Sequence, residues 1–145
     1  MNCELPHEYR EAQPADRAFW GANWANSFRR SRWAGVVPNH LFHDLMRTLQ
    51  DGLLRRGMRV SLAHLPGNPD ALMGFVAWEP SDKAPIVHFL YVKDTWRGQG
   101  LGGALLRQGP GDKFIYTHRT EDADRFRRPG WQVAHVPDPA RRKDL

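Results

Sequence analysis

The chain has 145 residues, 41% of them hydrophobic and 26% charged, so it has the size of one domain and can bury a core of its own. Its net charge of +5 suits an anionic small ligand or a nucleic acid and does not choose between them. With 11% aromatic residues it is too apolar for a disordered tail, and its single cysteine, Cys3, excludes a disulfide framework and a multi-thiolate metal site.

The sequence also predicts where the protein resides. No apolar run approaches the roughly 18 residues of a membrane span, and the N-terminal residues show no apolar stretch typical of a signal peptide. We therefore expect a soluble cytoplasmic protein without membrane contacts. Residues 1–136 are expected to form one domain, followed by a basic tail over residues 137–145.

The first part of the chain predicts two helices. In residues 15–31, aromatic side chains recur at every fourth position and line one helical face: Trp20, Trp24 and Phe28. Residues 39–56 carry a leucine repeat of the same period: Leu41, Leu45, Leu49 and Leu53. Gly57 is a suitable C-terminal stop for this second helix.

From residue 59 onward the pattern changes to period two and short apolar runs, which predicts strands. The expected strands are, in chain order, Arg59–Leu65, Ala71–Glu79, Ile86–Val92, Lys113–Thr117 and Trp131–Val136. One short helix is expected to end near Gln108, and another turn or two of helix over Glu121–Arg128. The resulting order, αα-βββ-α-β-α-β, predicts an α/β fold with a mixed sheet and helices on both sides.

A glycine-rich loop, Arg97-Gly98-Gln99-Gly100-Leu101-Gly102-Gly103, lies between an expected strand and an expected helix. Glycines there permit positive φ, and amide N–H groups at a helix start can converge on an anion, so the loop predicts a phosphate site. Gly98-x-Gly100-x-x-Gly103 matches the dinucleotide fingerprint, but Lys93 to Arg97 separate the first glycine from the strand. A Walker loop is excluded because no Gly-Lys-Ser/Thr follows.

The segment from Val92 to Leu106 resembles motif A of the GNAT (GCN5-related) acyltransferases. The family pattern Arg/Gln-x-x-Gly-x-Gly/Ala appears here as Arg97-x-x-Gly100-x-Gly102. The order of elements from about Glu8 to Val136 is also similar to that family, in the compact form found in phages and prophages. The resemblance implies a GNAT-like acyl-CoA N-acyltransferase fold with a truncated C-terminal hairpin.

The resemblance further implies acetyl-CoA as the cofactor. Its pyrophosphate would bind the loop residues Arg97, Gly98, Gln99, Gly100, Leu101, Gly102 and Gly103. Its pantetheine arm would pair with the preceding strand at Leu90, Tyr91 and Val92, beside a bulge that opens a slot in the sheet. The chain departs from the family at Asp94, where proline is usual, and at Phe126, where a tyrosine often protonates the leaving thiolate.

Acyl transfer to an amine needs a base whose pKa lies near the working pH, and histidine fits best. His88 precedes Arg97 by nine residues, the offset of a strand histidine that serves as base in arylalkylamine acetyltransferases. The resemblance therefore implies that His88 is the base; the alternative is a buried histidine bonded to a backbone carbonyl. We expect the amide of Tyr91 to hold the oxyanion. Tyr116 is the candidate acid, with a core tyrosine as the alternative.

Candidate acceptor contacts follow the first helix. In GNAT-like folds this region shapes the acceptor pocket, so the resemblance implies that Arg29, Arg32 and Trp33 contact an acidic or phosphate-bearing acceptor. The alternative is a solvated basic turn. His118 is expected to touch CoA phosphate or the acceptor, or else to cap a turn. His40 and His43 share a helix face, but without a His-Glu-x-x-His pattern they do not indicate a metal site.

These observations favour an N-acyltransferase that moves an acetyl group from acetyl-CoA to a primary amine by direct attack in a ternary complex. The acceptor would be a small molecule or a protein. Two alternatives stay open: a DNA base-modifying protein similar to the phage Mom type, and a non-catalytic protein that binds CoA or a host factor. A nucleic-acid partner is the less favoured of these expectations.

Overall fold

The computed structural model describes residues 3–29, 38–116 and 132–135. Its elements are, in chain order, β1 (Glu8–Glu11), α1 (Arg17–Arg29), α2 (Asn39–Arg56), β2 (Arg59–Leu65), β3 (Asn68–Glu79), β4 (Ile86–Val92), α3 (Leu101–Gln108), β5 (Lys113–Tyr116) and β6 (Gln132–His135). Short 3₁₀ turns precede α1 and follow β4, at Pro14–Asp16 and Asp94–Trp96. Among the described helices, none combines the length and apolarity that a membrane crossing requires.

The six strands form one mixed sheet in the order β1-β2-β3-β4-β5-β6. Neighbours from β1 to β4 are antiparallel, whereas β4, β5 and β6 run parallel. The α/β class and the bounds predicted for α2, β2 and β4 are confirmed. The sequence did not predict β1, whose residues Glu-Tyr-Arg-Glu form a mostly polar edge strand without an apolar run. The helix expected over Glu121–Arg128 lies outside the described residues.

Helices cover both faces of the sheet. The aromatic repeat of α1 packs with α2 against one face, where Trp24 stacks on Phe89 with ring centroids 5.4 Å apart. Leucines of α3 pack against the other face: Leu101, Leu105 and Leu106, next to Phe114 and Tyr116 of β5. The central strand β4 therefore lies between two apolar layers, as expected for its continuous apolar run.

The leucine repeat of α2 is divided between core and surface. Leu53 is buried together with Phe42 and Met46, but Leu41, Leu45 and Leu49 are 47%, 59% and 40% exposed. Apolar residues cover so much of this helix that only part of its circumference can face the core. Phe42, Met46 and Leu53 occupy the side that faces the core, so Leu41, Leu45 and Leu49 are left exposed to solvent.

Gly74 allows β3 to approach β4 closely. A Cβ atom at this position would lie 2.5 Å from the carbonyl oxygen of Tyr91 and 3.1 Å from the Cα of Val92. Both atoms belong to the backbone of β4, so neither can move aside as a flexible side chain would. We expect Gly74→Ala to lower the free energy of unfolding by about 2–3 kcal/mol in urea denaturation. An unchanged midpoint would contradict this close approach.

Candidate functional site

A bulge in β4 sets the direction of His88. In the register of β3 with β4, Ala77 pairs with Phe89 and Trp78 pairs with Val87, so His88 is the additional residue. A bulge re-aims a side chain relative to the normal alternation of a strand. His88 reaches Glu79, whose carboxylate also meets Arg56 of α2, and His88 therefore faces the side of the sheet that α2 covers. The bulge expected in this strand is confirmed.

The side chains of Arg56, Glu79 and His88 form a linked ionic cluster. Nε2 of His88 lies 2.6 Å from Oε1 of Glu79, and the same oxygen lies 2.5 Å from a guanidinium nitrogen of Arg56. His88 and Glu79 are buried, while Arg56 reaches solvent. Because an ionised carboxylate can only accept, Nε2 of His88 donates to it, and Nδ1 becomes the basic nitrogen of the neutral ring.

Burial lowers the pKa of His88 below its ordinary value. The Glu79 carboxylate opposes this effect and raises the pKa of His88, whereas the positive charge of Arg56 lowers it. The net direction is downward, so His88 is a neutral imidazole at neutral pH. A neutral, oriented imidazole in a buried position can accept a proton from a reacting group.

The sequence pointed to His88 as a candidate base but gave no indication of its two partners, Glu79 and Arg56. The predicted alternative for a buried His88 was a backbone carbonyl, and the partner found here is a carboxylate. Glu79 could have been noticed as the one acidic residue that ends an apolar strand, directly before Pro80. Arg56 carries no such signal, because basic residues are common in the last turn of a helix.

The side of β4 that faces β5 is paired over only its first residues. Ile86 pairs with Ile115 and Val87 pairs with Tyr116. Beyond these pairs, β4 continues from His88 to Val92 without a neighbouring strand on this side among residues 3–29, 38–116 and 132–135. Unpaired N–H and C=O groups on a strand can pair with an extended ligand as an additional strand would.

Backbone alternation determines which groups this open edge presents. Lys93 donates its N–H to the carbonyl of Met73, so its amide points toward β3. Because backbone groups alternate sides along a strand, the amide of Tyr91 also points toward β3, and those of Leu90 and Val92 point toward the open edge. Leu90 therefore replaces Tyr91 as the strand amide that can reach a ligand there.

The glycine loop turns from β4 into α3 through two left-handed residues, Gly98 at φ 79° and Gly100 at φ 85°. The first bond inside α3 joins the N–H of Ala104 to the carbonyl of Gly100. The amides of Leu101, Gly102 and Gly103 therefore have no acceptor within the helix and point out of its N-terminus. Such amides, together with the helix dipole, suit an anion.

Arg97 braces this loop against the end of β4. Its Nε donates to the carbonyl of Val92 at 2.8 Å, and its guanidinium pairs with Asp94 at 2.6 Å. The Arg97 side chain is still 56% exposed, so it can contact a ligand held by the loop. The carbonyl of Val92 is thereby occupied, and Leu90 offers the fuller set of main-chain groups on the open edge.

The remaining candidates are distributed around this region. Tyr116 is buried against α3 and is the last described residue of β5, where it pairs with Val87 of β4. It faces the α3 side of the sheet, opposite to His88. Arg29 ends α1. The candidates Arg32, Trp33 and His118, and Phe126 in the place of the usual tyrosine, lie outside the described residues.

Comparisons with known proteins show which fold the chain has. No protein-family model matches the chain, and no curated protein matches it. Solved structures do match, among them a protein of Pyrococcus furiosus assigned as an acetyltransferase, with a TM-score of 0.58, 17% identity and coverage of 81% of this chain and 85% of that one. A protein of Staphylococcus aureus assigned to the GNAT acetyltransferases has a TM-score of 0.50, 16% identity and coverage of 67% and 82%. The chain has the GNAT fold.

A third match with the GNAT fold comes from Clostridium acetobutylicum. It is assigned as an acetyltransferase and was crystallised with acetyl-CoA, and it matches with a TM-score of 0.53, 16% identity and coverage of 90% of this chain and 80% of that one. The fold expected from the motif resemblance is thus confirmed. The low identities restrict these comparisons to the arrangement of the backbone.

Proposed function

We propose that the protein transfers an acetyl group from acetyl-CoA to a primary amine. The observation that carries this proposal is one juxtaposition: the edge of β4 that is open among the described residues is followed, after one 3₁₀ turn, by a loop whose left-handed glycines aim the first amides of α3 outward. This combination offers a strand partner to an extended amide-containing arm and an anion site to a diphosphate at its end. The acetyl-CoA in the Clostridium acetobutylicum neighbour supports the same ligand class.

The residues present fit that ligand. The amides of Leu101, Gly102 and Gly103 would bind the pyrophosphate, with the exposed guanidinium of Arg97 beside them. Gly98, Gln99 and Gly100 would shape the loop around it. On β4, Leu90 and the N–H of Val92 would pair with the pantetheine arm, and Tyr91 would contribute the intervening backbone.

The proposed chemistry uses groups on both sides of the slot. Acetyl-CoA supplies a thioester carbonyl carbon, which the amine attacks directly. Nδ1 of His88 takes the surplus proton of the amine, which approaches from the side that α1 and α2 cover. The N–H of Leu90 donates to the negative charge that develops on the carbonyl oxygen. Tyr116, which ends β5 and pairs with Val87 of β4, supplies the proton to the leaving thiolate as the C–S bond breaks.

The acceptor is the less defined partner in this proposal. Arg29, Arg32, Trp33 and His118 remain sequence-based predictions for its contacts, and they favour an amine that also carries an acidic or phosphate group. The buried pair of His88 and Glu79 favours an enzyme over a non-catalytic binding protein. Such a pair can serve proton transfer, which a protein that only binds its ligand does not need.

One assay distinguishes the proposed functions. The protein is incubated with acetyl-CoA labelled in the acetyl group and with separate pools of small amines, peptides and DNA. Label on amines or peptides supports the proposal, whereas label on DNA supports a DNA base-modifying protein. Binding of CoA in calorimetry without transfer to any pool supports a non-catalytic protein. If calorimetry with CoA detects no heat, the glycine loop does not bind CoA, and all three proposed functions are contradicted.

The Glu79→Gln variant tests whether His88 is the titrating base while His88 itself is left in place. Glu79 raises the pKa of His88, so Glu79→Gln should move the acid limb of the kcat/KM profile to lower pH. Loss of the carboxylate that orients the ring should also lower kcat by about tenfold. Arg56→Gln is the matched control: Arg56 lowers the pKa of His88, so its removal should move the same limb to higher pH. An acid limb that stays in place in both variants would exclude His88 as the titrating base.

A further inference from the structure

Three leucines form an apolar face on the outer side of α2. Leu41, Leu45 and Leu49 are spaced by four residues, so they lie along one side of the helix, and they are the most exposed large hydrophobic residues of the described chain. We call Leu41, Leu45 and Leu49 the leucine face. Gly52 continues the same line by a further turn, and a Cβ atom there would meet nothing within 4 Å. The described fold thus leaves about half of each leucine side chain uncovered and leaves open space beside Gly52.

Two charged residues flank the leucine face at opposite ends. Asp44 lies in the first half of α2 and Arg55 in its last turn, and both are exposed. They are eleven residues apart, which is close to three helical turns, so they lie on the same flank. Neither side chain makes a hydrogen bond or an ion pair with any residue that the structure describes.

We propose that the leucine face is the contact between two copies of this chain, with α2 packing antiparallel against α2 of the second copy. A two-fold axis brings like flanks of two antiparallel helices together, because the same surface meets itself in reverse. Asp44 of one copy then lies beside Arg55 of the other, and this pair occurs twice. Leu45 packs over Gly52 of the second copy, where the missing side chain lets the helices approach.

The charges of Asp44 and Arg55 favour a second copy of this chain as the partner of the leucine face. A partner of different sequence would need its own matching pattern, whereas this helix carries an acid and a base at the two ends of one flank. The contact also leaves the proposed acyl-CoA site accessible, because α3 and its loop lie on the opposite face of the sheet from α2. The proposal does not depend on the proposed enzymatic function.

Sedimentation velocity and light scattering test the proposal on the full chain. We expect the wild-type protein to form a dimer whose fraction rises with protein concentration. Leu45→Glu should weaken the dimer by at least about tenfold, because it buries a charge in the contact. Leu54→Glu is the matched control, since Leu54 is 38% exposed on a different side of α2 and should leave the dimer intact.

Charge reversal identifies the second copy as the partner. Asp44→Arg and Arg55→Asp should each weaken the dimer, because each brings like charges together twice. The double variant should restore it, because the pairs re-form with their signs exchanged. Failure of this rescue overturns the proposed antiparallel arrangement.

Two further outcomes would overturn the dimer. The first is a wild-type protein that is monomeric at every concentration. If Leu45→Glu also lowers the thermal stability of that monomer, the chain covers the leucine face with a segment of its own. The second is an equal effect of Leu54→Glu and Leu45→Glu on association.

Discussion

Replacing His88 by glutamine should lower the rate of acetyl transfer at neutral pH by about 10²–10⁴-fold, the range that general bases contribute. Glutamine has a similar length and can still donate a hydrogen bond to Glu79, but it cannot take a proton from the amine. The affinity for CoA should remain nearly unchanged, because the loop amides and the open edge of β4 do not involve the imidazole. Steady-state kinetics and calorimetry with CoA measure the two quantities separately.

A second buried histidine provides the control for this variant. His64 of β2 is 7% exposed and contacts the carbonyl of Leu65, so it matches His88 in burial while it lies away from the open edge of β4. His64→Gln should leave the turnover unchanged apart from any loss of folded protein. Equal turnover of His88→Gln and the wild type would remove His88 from the mechanism. The lowered pKa of His88 further predicts that wild-type activity persists at neutral pH and falls only as acid protonates the ring.

Local sequence patterns predicted the elements that carry the site. The period of two in β2, the apolar run of β4 and the glycine stop after α2 depend on neighbouring residues, and their predicted bounds are confirmed. The glycine loop was also recognisable from local sequence, because glycine is the residue type that adopts the positive φ found at Gly98 and Gly100 without strain. Properties of single positions and short windows can thus be inferred without the fold.

Contacts between distant segments could not be predicted in this way. Arg56, Glu79 and His88 come from three different elements, and their meeting depends on the bulge that places an additional residue in β4. A bulge changes the side to which a side chain points, and no pattern in one sequence specifies its position. The leucine repeat of α2 did not indicate which side of the helix is buried, because Phe42 and Met46 form a second apolar side that packs on the core instead.

Gly100→Ala should weaken the binding of CoA by at least about 100-fold. An alanine at φ 85° is strained, so the loop is expected to change conformation to relieve that strain; the Cβ itself would make only an ordinary contact with Cys3, at 3.4 Å. Gly100 directly precedes α3, and its φ sets the direction of the amides of Leu101 and Gly102. Losing two charge-assisted hydrogen bonds costs about 3 kcal/mol, which corresponds to that loss of affinity. Calorimetry with CoA measures it.

Gly111→Ala separates this effect from general destabilisation. Gly111 also has a positive φ, 97°, but it follows α3 and a Cβ there meets nothing within 4 Å. Both variants should lose about 1–2 kcal/mol of stability from the left-handed conformation, and only Gly100→Ala should lose affinity for CoA. Because the backbone strain is similar at the two glycines, a difference in affinity reports the direction of the amides at the start of α3. Equal affinities of the two variants would mean that these amides do not hold the pyrophosphate.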